Sequence, residues 1–247
     1  MKNLKITLVV MMAIVLLPFL AEAQAQTESK ILSLTEITIK QGHRAQFLEA
    51  VKQWKECYIE KNGADKWGFW QQFQGSGNVY VLSGYNNTFA ELDADDAAGK
   101  ACRDIVRDFI MPHVEKTNYT ISKTIPEVSN STNKEGSVIY VNFYRVKNGI
   151  AFFDLIKERA AIVKEIEGQP RAYWYSSVGG SADSADYFSV TTFKDFAEMD
   201  VKKEGVWKMI ERVKGKKKSD QLLSSGVSLI ENSWSYIYVY NEELSRN

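Results

Sequence analysis

The chain has 247 residues, with 31 Lys and Arg against 31 Asp and Glu, 45% apolar and 12% aromatic. Zero net charge argues against nucleic acid or an anionic membrane as the main partner. Two cysteines are too few for a disulfide scaffold and four prolines too few for long disordered linkers, which leaves compact enzyme or binding modules, one large or two of about a hundred residues.

The first segment reads as a targeting signal. Lys2 and Lys5 precede the apolar run Ile6 to Leu20, and Ala21-Glu22-Ala23 and Ala23-Gln24-Ala25 both fit an A-x-A cleavage site. The competing reading is an uncleaved anchor, but the run is short against the roughly 20 residues that a span needs. The expectation is a bacterial signal peptide over 1–23, cleaved near Ala23, and a periplasmic or secreted protein with no membrane contact after cleavage. Export makes an oxidising compartment, so Cys57 and Cys102 are a disulfide candidate closing a loop of about 45 residues. Two separate buried thiols are the alternative.

The chain then contains itself twice. At an offset of 107 residues, Lys40-Gln41-Gly42 falls on Lys147-Asn148-Gly149, Leu48 on Leu155, Trp67 on Trp174 and Tyr80 on Tyr187. Phe89-Ala90-Glu91-Leu92-Asp93 falls on Phe196-Ala197-Glu198-Met199-Asp200. That length suits a duplicated domain and not a solenoid. Residues 31–40 and 137–147 are β-branched and aromatic, as strands are. Helices follow at 43–61, with Phe47, Val51, Trp54 and Tyr58 on one face, and at 150–167, with Phe152, Leu155, Ile156, Val163 and Ile166 on one face. Trp67–Phe73 with Val79–Tyr85, and Arg171–Val178 with Tyr187–Phe193, form hairpins around Gly-rich turns. Helical stretches within 88–116 and 194–215 precede final strands at Tyr119–Ile125 and Ser233–Tyr240. The expected units are therefore a first repeat over 24–126 and a second over 137–247, each β-α-β-β-α-β. The polar, turn-rich residues 127–136 read as a surface linker, and Lys214–Asp220 as a solvated loop after a helix.

Two such units in one exported chain resemble the dimeric α/β-barrel superfamily. The resemblance implies an α+β fold in which two tandem ferredoxin-like βαββαβ repeats pack their bare sheet faces together as an intrachain α/β barrel. Apolar residues on both faces of 31–39 (Ile31, Ile37, Ile39 against Leu32, Leu34) and of 138–146 agree, since a sheet with one wet face alternates cleanly. The superfamily includes cofactor-free monooxygenases, haem-degrading enzymes, chlorite dismutases and dye-decolourising peroxidases, and the fold does not choose among them.

The residues narrow the choice. A chlorite dismutase carries its axial histidine in the second repeat, whereas His43 and His113 are the only histidines here and both lie in the first. His113 ends a helix in Met111-Pro112-His113-Val114, where a cation is favoured, and His43 is expected to be exposed. Two separate histidines do not supply a transition-metal site, so no metal is expected. Asp93, Asp95 and Asp96 lack the spacing of an EF-hand loop. No G-x-S-x-G or P-loop occurs, and no cofactor is implied. What remains is aromatic: Trp67, Phe69, Trp70 and Phe73 crowd one strand, Tyr173, Trp174 and Tyr175 its counterpart. Trp234, Tyr236, Tyr238 and Tyr240 share one face of the last strand by the period of two. Such side chains suit the wall of a site for a flat ligand, or equally the packing of the sheet interface.

The expected function is binding of a small hydrophobic or aromatic molecule between sheet and helices, with Trp67, Trp70, Tyr80, His113, Trp174 and Tyr187 as candidates. Alternatives are a cofactor-free monooxygenase-like or haem-related enzyme, for which Trp67, Trp70, Tyr80 and His113 would be the analogous set, and an interaction module with a packed barrel. The sequence leaves room for an oligomer.

Overall fold

The computed structural model describes residues 28–132 and 135–247; the expected signal peptide lies outside them. Among the described residues eight strands form the sheet: β1 (Ile31–Ile39), β2 (Gly68–Gln72), β3 (Asn78–Asn86), β4 (Val114–Thr124), β5 (Val138–Val146), β6 (Tyr173–Ser177), β7 (Tyr187–Phe193) and β8 (Ile230–Tyr240). They close into a barrel in the order β1-β3-β2-β8-β5-β7-β6-β4. Each half contributes an antiparallel four-stranded sheet. The halves are joined by β2 against β8, from Trp70↔Tyr240 to Gln72↔Tyr238, and by β4 against β6, from Ser122↔Ser177 to Thr124↔Tyr175. The chain is α+β, two tandem ferredoxin-like units in one closed barrel.

Seven helices of the described residues accompany the strands: α1 (Arg44–Glu60), α2 (Ala97–Ala101), α3 (Arg103–Ile105), α4 (Gly149–Glu167), α5 (Phe196–Met199), α6 (Val206–Lys214) and α7 (Lys216–Leu229). The Asn148 side chain caps α4 by accepting the Ala151 N–H, and Gly168, at φ 84°, ends it in the left-handed region that glycine enters without strain.

Three sequence expectations change. Residues 88–116 hold a series of short turns and not one helix: a 3₁₀ turn at Phe89–Asp93, α2, α3, a π turn at Val106–Ile110 and a 3₁₀ turn at Met111–His113. Asp96 restarts the helix by accepting the Gly99 N–H, Pro112 cannot continue it, and β4 begins at Val114, ahead of the expected Tyr119. Lys214–Asp220 is not a loop. Gly215, at φ 85°, breaks the chain for one residue, and α7 starts at once, burying Ser219, Leu222 and Gly226 while Lys218 pairs with Glu158. The linker is not all surface, since Pro126–Val128 is a 3₁₀ turn and Val128 is 1% exposed against α4.

Apolar side chains gather in three main layers. Phe47, Val51, Tyr58, Phe69 and Tyr80 close the space between α1 and the first sheet. Phe152, Ile156, Ala160 and Trp174 close that between α4 and the second. The third layer is the barrel lumen, drawn from both sheets. Each full burial of such a side chain is worth about 1.5–3 kcal/mol.

The contacts also refine the repeat. Phe47 lies 5.6 Å from Tyr80 at 40°, and Phe152 lies 5.3 Å from Tyr187 at 45°. Tyr80 and Tyr187 obey the offset of 107, but Phe47 and Phe152 are 105 apart. The single ungapped offset therefore fails within the helices, because Gln41-Gly42-His43 spends two more residues before α1 than Asn148 does before α4.

Candidate functional site in the barrel lumen

Strand pairing fixes which side chains face inward. Pairs such as Val141↔Tyr236, Phe143↔Trp234 and Ile139↔Tyr238 place alternate residues of β5 and β8 on the same side. The lumen cluster combines Leu32, Leu34, Trp70 and Val81 of the first half with Ile139, Val141, Phe143, Tyr173, Tyr175, Phe188, Val190, Tyr236 and Tyr238 of the second. The four aromatics of β8 thus look inward. Trp234 stacks on Phe143 at 5.5 Å and 10°, Tyr175 on Phe188 at 4.6 Å and 7°, and Trp70 meets Tyr240 at 4.8 Å.

The lumen wall is buried unevenly. Leu32, Val141, Tyr175, Phe188 and Tyr238 are buried, whereas Leu34, Trp70, Val81, Ile139, Phe143, Tyr173, Val190 and Tyr236 are only half-buried although they face the barrel interior. Polar groups punctuate this wall. The Trp70 indole N–H donates to Ser83 Oγ at 3.1 Å, and the hydroxyls of Tyr85 and Tyr175 meet at 2.8 Å. Burial pushes the pKa of both phenols above the ordinary tyrosine value, Tyr175 furthest. Glu36 follows Leu34 by two residues on β1 and faces the same way. Tyr238 is raised first by burial and then by the charge of Glu36.

The sequence candidates do not assemble. Trp67 is buried in the first helix layer, where its indole donates to the Leu244 carbonyl at 2.8 Å and packs on Trp54 at 4.9 Å. Tyr80 lies in the same layer, 0% exposed, its hydroxyl accepting from Arg44 Nε at 2.8 Å. Trp174 is 3% exposed in the second helix layer, stacked on Tyr144 at 5.5 Å, and Tyr187 beside it donates to the Gly149 carbonyl at 3.1 Å. Of the six, Trp70 alone reaches the lumen. His113 meets His43, Nδ1 to Nδ1 at 2.8 Å, so His43 is half-buried and not exposed. With ring centroids 5.1 Å apart the two nitrogens point at each other, one donating and one accepting. The residues missed are Tyr85, Phe143, Phe188 and Glu36. Alternation marks them as facing one side of a strand, but only the closed register says which side. Cys57 and Cys102 form a disulfide that ties α1 to the end of α2.

No protein-family model matches the sequence, and no curated protein matches it. Solved structures do. A protein from Lactobacillus acidophilus NCFM, provisionally named a monooxygenase, superposes with a TM-score of 0.53 at 11% identity, over 86% of this chain and 94% of that one. One from Fusobacterium nucleatum, named likewise, gives 0.51 at 12% identity over 85% and 92%. The chlorite dismutase of Candidatus Nitrospira defluvii gives 0.50 at 8% identity over 90% and 96%. The chain has the dimeric α/β-barrel fold.

At these identities the likeness to other dimeric α/β barrels carries architecture alone. The haem that the resemblance implied for chlorite dismutases is not matched by the residues here. The second helix layer of this barrel is filled by Phe152, Ile156 and Trp174, the second half has no histidine, and His43 and His113 bond to each other. Among the described residues no group of three or more His, Cys, Asp or Glu could hold a metal ion.

Proposed function

We propose that this α/β barrel is an exported protein that binds a small, flat aromatic molecule in its lumen. The observation that carries the reading is the make-up of the lumen: aromatic side chains from both halves line it, Trp70, Phe143, Tyr173 and Tyr236 among them only half-buried, with a few polar groups set between them. Aromatic faces from β5, β6, β7 and β8 offer stacking, worth about 0.5–1.5 kcal/mol per well-placed pair beyond area burial. Ser83, Tyr85, Tyr175 and Glu36 supply the few polar groups that orient a ligand in an apolar site. This reading puts the binding space in the barrel interior.

Titration of the purified protein with neutral 2-naphthol, followed by tryptophan fluorescence, tests the reading. Saturable quenching is expected from Trp70 and Trp234. Val81→Trp, which fills a half-buried inward position, should abolish it while circular dichroism stays native. A wild-type protein that shows no saturable response, or a Val81→Trp variant that responds as wild type does, would leave the packed interaction module as the better description.

A further inference from the structure

Alternation along the closed barrel gives the lumen one carboxylate among the described strand residues. Leu32 and Leu34 of β1 belong to the lumen cluster, and Ile37 and Ile39 to the first helix layer. Glu36, two residues beyond Leu34 and paired with Val81, therefore faces inward. It is half-buried, and no described residue donates a hydrogen bond to it or forms an ion pair with it. At the offset of 107 the second half places Phe143 here, so the fold itself does not require an acid. Two cations share the inward alternation. Arg145 is held by Asp183 at 3.3 Å and by Glu231 at 3.2 Å. Lys116, opposite Thr38 at the start of β4, is exposed and forms no ion pair.

Across the lumen stands a second open polar group. Tyr238 is 5% exposed, yet its hydroxyl has no hydrogen-bond partner among the described residues. None of their side-chain oxygens is both sealed and unpaired, so the Tyr238 hydroxyl opens onto free space. The charge of Glu36 reaches it although β8 stands three places from β1 in the barrel order. The two groups thus face each other through the interior and not along the wall. Glu36, Val81 and Trp70 also lie in one row across β1, β3 and β2, and Trp70 meets Tyr240. Aromatic faces carry the negative part of the ring quadrupole, so the rings and the carboxylate favour the same sign of charge.

We propose that the lumen selects a cation, a primary arylalkylamine whose ammonium group sits between Glu36 and the Tyr238 hydroxyl. The inference rests on the lumen being the binding space and names the ligand class that it takes. An ammonium brings three donors and no acceptor, which suits a carboxylate and a phenol oxygen that are both without partners. The aryl body then lies against the half-buried rings, and an anion of the same shape meets repulsion from both.

Calorimetric titration with three naphthalenes that differ in charge tests this: 2-naphthylmethylammonium, 2-naphthylmethanol and 2-naphthoate, at neutral pH and constant ionic strength. The ammonium is expected to bind about tenfold or more tightly than the alcohol, as charge-assisted hydrogen bonds and cation–π contacts allow. Naphthoate should bind more weakly than the alcohol. Glu36→Gln should bring the ammonium and alcohol affinities to within about threefold, the share left to the rings. Should that variant fail to fold, Glu36→Thr, neutral and β-branched as strands prefer, should do the same. Alcohol binding with no preference for the ammonium, or a preference that survives the loss of Glu36, overturns the inference and leaves lumen binding standing. Absence of binding by the ammonium, the alcohol and 2-naphthol alike overturns both.

Discussion

Tyr85 and Tyr175 reach each other from different halves of the barrel, oxygen to oxygen at 2.8 Å. Burial raises the Tyr175 phenol, so the folded chain keeps its proton at a pH where the unfolded chain, near the ordinary value of 10.0, releases it. The unfolded state then binds fewer protons and stability falls as pH climbs above 10, by up to about 1.4 kcal/mol per pH unit while Tyr175 stays protonated. Urea unfolding between pH 9 and 11 should show that decline, and Tyr175→Phe should flatten it. Both tyrosines lie in strands readable from sequence, but their meeting was not, because β3 and β6 are not sheet neighbours and nothing local relates them. Glu36 was more accessible. A carboxylate on the face of β1 that carries Leu32 and Leu34 interrupts an apolar strand, and that conflict is written in the period of two alone.

The long elements were legible because their periodicity is strong. The spans of β1, β5, β7, α1 and α4 fall within one or two residues of expectation. Segments punctuated by local chemistry were not. Asp96 and Pro112 divide one expected helix into turns, and three successive lysines hid the start of α7, whose buried face consists of the small or widely spaced Ser219, Leu222 and Gly226. Gly168 gives this scale its prediction. A Cβ there meets nothing within 4 Å, so Gly168→Ala tests backbone conformation alone at φ 84°. It should cost about 1–2 kcal/mol, read as a lower urea midpoint with an unchanged m-value. Which face of a strand serves the lumen stayed hidden, since β1 and β5 are apolar on both sides and only closure assigns inside and outside.

At the scale of the molecule, Cys57–Cys102 crosses 45 residues and pins the turn-rich segment before β4 to α1. In the chain-entropy model such a loop contributes about 4 kcal/mol. The Cys57→Ala, Cys102→Ala double variant should lose about 2–5 kcal/mol in urea unfolding while its barrel folds. Closure itself has a further consequence. Neither half can complete its sheet alone: β2 needs β8 and β4 needs β6. A lone half would expose two bare strand edges and would pair with a copy of itself. A barrel made of two identical copies is bound by symmetry to carry every feature twice. Covalent fusion lifts that obligation, so Glu36 can stand once in the lumen while its twin is Phe143, and one protein can hold two different answers to the same structural position.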